Sequence, residues 1–253
     1  MPDKLDTTDK PTTKPDKTTS TDLPAADSDG WTRIYNGEQL TKALEANRNI
    51  KLMADVRDVE GVSQYKGTLD GNGHTISNPQ VCPYTHSFHS RGWISALLGG
   101  TIRDCVNMAN VSAIGNSSAS AYAGGIIGSA YSDAATVIHI SHCLNLGSIY
   151  AETNGSGSAT ASGICTSYNY FSYRITITDC GNGGEIFAKN TKTSSYAVET
   201  SISPQFSNIP GYTTKMYYWD ERYNSSNIQT VSRDTLLSMW SDVLNRRGSV
   251  PDN

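Results

Sequence analysis

The sequence is short of charge. Of 253 residues, 20 are Lys or Arg and 24 are Asp or Glu, 17% together, against a usual share of about 25%. The net charge of -4 and the pI near 5.7 offer no basic surface for nucleic acid or an anionic membrane. Long apolar runs are missing too. No stretch approaches the roughly 20 residues that a membrane-spanning helix needs, and the first residues lack the basic-then-apolar pattern of a signal peptide. Cysteine is sparse and odd in number (Cys82, Cys105, Cys143, Cys165, Cys180), which argues against a disulfide scaffold. What fills the chain is small and polar: 37% is apolar, and roughly a third is Ser, Thr, Asn and Gln. That balance is unlike the Ala, Glu, Lys and Leu of long helices and suits short strands joined by many turns.

Residues 1–28 are dominated by Thr, Lys, Asp and Pro and hold almost nothing that can form a core. They read as a disordered, extended tether, the export signal being trimmed before Met1. Residues 29–253 form the structured domain. Asn36 is placed to cap a short helix running to Asn47, with Gln39 reaching back and Leu40, Ala43 and Leu44 on one stripe. An alternating strand at Ile50–Val56 follows, then Gly67–Ser77, where glycines permit a sharp turn between two strand pieces. Near the other end, Ser232 caps an amphipathic helix over 232–245 with Leu236, Trp240, Val243 and Leu244 on its apolar face.

Between these ends the chain repeats itself. Thr101-Ile-Arg-Asp-Cys-Val-Asn107, His139-Ile-Ser-His-Cys-Leu-Asn145 and Thr176-Ile-Thr-Asp-Cys-Gly-Asn182 align without a gap, so Asn107, Asn145 and Asn182 recur at intervals of 38 and 37. A glycine-rich strand precedes each unit (Ile94–Gly100, Gly124–Gly128, Ser162–Thr166), and a third strand follows (Ala109–Ala113, Gly147–Ala151, Gly184–Ala188). The repeats fall at about 94–113, 124–151, 162–188 and 200–220. Three short strands per unit at a fixed period predict a parallel β-solenoid, an all-β fold in which equivalent residues stack about 4.8 Å apart. Stacking predicts a cysteine column and an asparagine column whose amides bond along the stack. A solenoid needs its open ends covered, and the two helices are the expected caps.

Leu69-Asp-Gly-Asn-Gly-His-Thr-Ile-Ser-Asn78, the Gly124–Gly128 strand with Ile140-Ser-His-Cys-Leu-Asn-Leu-Gly-Ser-Ile149, and the closing Met216-Tyr-Tyr-Trp-Asp220 with its helix resemble the GLUG-motif repeat proteins. The resemblance covers about residues 31–250. It implies a right-handed parallel β-helix of the pectin-lyase-like type on secreted or surface-anchored bacterial proteins, lipoproteins and adhesins among them. It implies no catalytic residue. The first unit departs from the pattern at Ile94–Gly100 and the last at Ser201-Ile-Ser-Pro204.

Candidate chemistry is thin. The residue before each repeat cysteine is Asp104, His142 and Asp179. Stacked, a histidine between two carboxylates suits acid–base work in a hydrolase or lyase, whereas at a solvated corner the same residues are ordinary turn formers. His86-x-x-His89 and His139-x-x-His142 place their imidazoles on opposite faces of a strand, so no metal site is expected, and nothing calls for a cofactor. The repeat cysteines read as buried thiols. For binding, loops at 116–122, 153–158 and 190–196 are expected to pile onto one face. A cluster of Tyr131, Tyr168, Tyr170, Phe171 and Tyr173 is suited to stacking on sugars. The chain is therefore read as a monomeric, non-catalytic, surface-displayed module binding glycan or host protein. The alternatives are a polysaccharide lyase or glycoside hydrolase on the same fold, and a structural spacer.

Overall fold

The computed structural model describes residues 19–77, 88–115, 119–130, 137–166, 175–191, 197–200, 216–218 and 228–241. The described part is all-β with two short helices, and every strand pairing in it is parallel. Four sheets run side by side. In each, a strand's neighbours are the equivalent strands of the repeats before and after it. The first sheet runs from Thr32–Ile34 to Ile175–Thr178, with Ile102, Ile140 and Ile177 in register. The sheet that holds Val106–Asn107, Leu144–Asn145 and Cys180–Asn182 aligns the three asparagines.

The repeat unit contains one strand more than the sequence pattern suggested. Ser120–Gly124, Ala159–Ser162 and Ala197–Thr200 form a sheet with Phe88–Arg91, mostly outside the three strands expected in each unit. The inward residues of Ser120–Gly124 and Ala159–Ser162 are alanines. Ala121, Ala123, Ala159 and Ala161 pack against Val111, Ala113, Ile149 and Ala151 of the facing sheet in a thin second core. The larger core holds the isoleucine rows with Cys105, Cys143, Cys165 and Cys180. Small residues dominate Ser120–Gly124 and Ala159–Ser162, where Thr160 is the one β-branched side chain, so propensity announces these strands only weakly.

Buried polar groups are satisfied along the stack. Trp93 Nε1–H donates to Asn107 Oδ1 at 3.1 Å. Asn107 Nδ2 donates to Asn145 Oδ1, and Asn145 Nδ2 to Asn182 Oδ1, each at 2.6 Å. Each amide also donates to the carbonyl two residues on, at Ala109, Gly147 and Gly184. The indole thus heads a polarised chain of amides in which each bond strengthens the next. A Cβ on Gly125 would come within 2.7 Å of Asn145 Oδ1, so glycine there leaves room for the ladder.

Helix α1 (Gly37–Glu45) is capped as expected: Asn36 Oδ1 accepts from Gln39 N at 3.0 Å, and the Gln39 side chain returns to Tyr35 N at 2.9 Å. Leu40, Ala43 and Leu44 enter the larger core beside Ile34, Ile50 and Leu52. Helix α2 (Arg233–Met239) is capped by Ser232, but it does not sit where a cap on an open end belongs. Leu236 and Trp240 pack on the side of the stack against Val106 and Leu144, outward residues of successive repeats. A Cβ on Gly181 would lie 2.7 Å from the Trp240 ring, so that glycine keeps the helix bed open. An outward apolar row must be covered, and this helix covers it. Its remaining expected face residues, Val243 and Leu244, lie outside the described residues.

The N-terminal segment also joins the fold earlier than its composition suggests. From residue 20 it lies against α1: Ser20 O accepts from Asn36 Nδ2 and Gln39 Nε2, Thr21 O accepts from Lys42 Nζ, and Leu23 packs on the core.

Candidate functional site

The acid–histidine column exists as a row of corners. Asp104, His142 and Asp179 all have φ near +50° (52°, 52° and 51°), the left-handed region that Asp, Asn and His tolerate better than most side chains. Each corner ends a strand of the first sheet, and its cysteine then points into the core, which explains the recurring Asp/His-Cys pair. The backbone N–H groups of Asp104 and His142 donate to Ser141 O and Thr178 O at 3.2 and 3.0 Å, so the ladder continues through the bend.

At the side-chain level only part of the column is joined. A carboxylate can only accept, so His142 Nδ1–H donates to Asp104 Oδ1, at 2.7 Å. Across from it the Trp240 ring stacks on the imidazole, with 5.8 Å between centroids and 18° between planes. One nitrogen is engaged by a carboxylate and one ring face by an indole from α2. These contacts tie the helix to the corner, and the imidazole stays 35% exposed.

His139 and His142 are separated. His139 Nδ1 lies 2.6 Å from Thr176 Oγ1 on the outer face of the first sheet, while His142 turns to Asp104 at the corner. His86 lies outside the described residues, as does the side chain of His89. Among the described residues, no group of three or more His, Cys, Asp or Glu side chains could hold a metal ion. The four described cysteines are free and buried. The Cys105, Cys143 and Cys180 thiols donate to the carbonyls of Arg103, Ser141 and Thr178 at 3.1 to 3.3 Å. Burial pushes the Cys105, Cys165 and Cys180 thiols well above their ordinary range, so they stay protonated and unreactive.

The aromatic cluster expected to bind ligand (Tyr131, Tyr168, Tyr170, Phe171, Tyr173) lies outside the described residues. The loop pile is partly visible. Thr153 Oγ1 donates to Ala119 O at 3.0 Å, Ser158 N donates to Ser120 Oγ at 3.0 Å, and Asn190 Nδ2 donates to Gly157 O at 2.9 Å, which joins the described parts of three consecutive connections.

Sequence reasoning passed over a second aromatic group. On the sheet formed by Val111–Gly115, Ile149–Thr153 and Ile186–Asn190, parallel register aligns Ser112 with Tyr150 and Phe187, and Ile114 with Glu152 and Lys189. The Tyr150 and Phe187 rings lie 5.5 Å apart and within 8° of parallel, an offset stack. The Tyr150 hydroxyl donates to Glu152 Oε2, and that carboxylate holds the phenol above its usual range. Lys189 Nζ approaches the same carboxylate at 3.7 Å. The signal was present in the repeat alignment, where outward positions of consecutive third strands read Ser, Tyr, Phe.

A cavity of about 460 Å³ lies where the N-terminal segment crosses α1, with Asp22, Pro24, Asp27, Arg33 and Tyr35 among its walls. The Asp27 carboxyl, lowered first by the Trp31 N–H and then by Asp29 and Arg33, has structural partners at 2.8 to 3.0 Å. Comparison of the chain with protein-family models, curated proteins and solved structures finds no match.

Proposed function

We propose that the chain is a non-catalytic module of a secreted or cell-surface bacterial protein, a right-handed parallel β-helix of the GLUG-repeat type that binds glycan or host protein. Stacked parallel sheets with repeat-to-repeat pairing support the architecture, and parallel crossovers are right-handed in about 98% of cases, which supports the hand. The Thr/Lys/Asp/Pro-rich start supports a tether to a surface.

One observation carries the non-catalytic reading. The aligned acid–base candidates are bend residues, and His142 is occupied by Asp104 on one side and by Trp240 on the other. A hydrolase or lyase needs its acid and base open to a substrate.

The test is incubation of the protein with a panel of neutral and uronate polysaccharides, measuring new reducing ends and unsaturated uronate. No product is expected at any protein concentration. Product that scales with protein and disappears in His142→Gln contradicts the proposal.

A further inference from the structure

We infer that the outer face of the sheet formed by Val111–Gly115, Ile149–Thr153 and Ile186–Asn190 is a binding platform for neutral polysaccharide. Tyr150 and Phe187 supply the stacking surface, and Glu152 and Lys189 the partners for hydroxyls. The inference rests on the module reading above and adds a place and a ligand class to it.

Alternation along each strand sends Val111, Ala113, Ile149, Ala151 and Ile186 into the thin core and leaves the residues between them outside. In-register pairing then makes two outward rows, Ser112–Tyr150–Phe187 and Ile114–Glu152–Lys189. Phe187 and Ile114 are 50% and 56% exposed and lie in adjacent rows of one sheet face. Apolar surface kept open in adjacent rows marks a contact site more often than chance exposure does. The Tyr150–Glu152 hydrogen bond fixes one ring, and the stack fixes the other, so little side-chain freedom is lost when a ligand settles.

Size and charge select the ligand. Three strands of five residues span roughly 17 Å by 10 Å. That is far below the roughly 800 Å² that each partner contributes to a stable protein interface, yet it is enough for two or three sugar rings. The offset stack turns the two rings partly onto each other, so a sugar meets the faces and edges they leave open across the two repeats. Sugar C–H faces lie on aromatic rings while hydroxyls bond to carboxylate and ammonium. The Glu152 and Lys189 charges cancel locally, and the molecule carries -4 overall, so a neutral chain fits better than a polyanion.

The test is retention on affinity gels containing a β-glucan, a mannan, a galactan or polygalacturonate, with calorimetry on the polymer that retains the protein best. The wild type is expected to bind at least one neutral polymer. Tyr150→Ala and Phe187→Ala are each expected to bind about tenfold more weakly, a loss of about 1.4 kcal/mol, with melting temperatures close to wild type. Equal binding by both variants overturns this site but leaves the module reading standing. Preference for polygalacturonate overturns the neutral-ligand assignment. Failure of the wild type to bind any of the four polymers overturns the platform together with the glycan arm of the proposed function.

Discussion

Asn145 is the residue through which three repeats communicate. It accepts from Asn107, donates to Asn182 and to Gly147 O, and is fully buried. Removing its amide leaves the donor below it, the acceptor above it and a carbonyl beside it without their partner. An orphaned buried group costs about 1–3 kcal/mol, so Asn145→Ala is expected to lower the urea-unfolding free energy by at least about 3 kcal/mol. Replacing half-exposed Met108 with Ser is expected to change it by about 0.5 kcal/mol or less. Equal effects in the two variants would remove the ladder from the account. This column was legible from the recurrence of Asn at 38 and 37 residues. The Trp93 indole at its head was not, because tryptophan stands there once, in register with Ile126 and Ile164 of the next repeats. At the same scale, Asp104, His142 and Asp179 were visible as a column with two readings, acid–base chemistry or corner turn formers, and the backbone angles show that all three serve a left-handed bend.

At the scale of elements, the strands with branched residues announced themselves and the alanine strands did not. Ser120–Gly124 and Ala159–Ser162 lie in a narrow part of the molecule where facing Ala side chains suffice, so the pattern that marks a half-buried strand is muted there. The C-terminal helix was legible in its cap and in its apolar face at Leu236 and Trp240. Its position on the flank was not, since an apolar stripe says that something must be covered without saying what. The partner row Val106, Leu144 and Gly181 is outward-facing in a parallel sheet, and its need for cover appears only when the repeats are stacked. Because α2 is laid on the outside, the sheets do not depend on it. Trp240→Ala is expected to cost about 3 kcal/mol locally and to speed amide exchange over 233–240, with the far-UV β signal unchanged. Loss of the β signal would mean that the helix is integral to the stack.

At the scale of the whole molecule, strand pairing and the asparagine ladder join residues about one repeat apart. The isoleucine rows, the thiols, the asparagine ladder, the corner that seats His142 under Trp240 and the Tyr150–Phe187 stack are one register seen at different positions. A slip of one residue in any repeat would turn its core positions outward and break all of them together. The function proposed for the chain depends on the same register, since the aromatic platform exists only if residue 150 lies beside residue 187. The measurement that bears most directly on this is a side-chain amide NOE experiment on the intact protein. Cross-peaks are expected that link Trp93 Nε1–H to the Asn107 amide, and Asn107 to Asn145 to Asn182 in turn, with slow solvent exchange at all three amides. Rapidly exchanging asparagine amides with no cross-peaks between repeats would contradict the stacked register, and with it the platform and the row of corners.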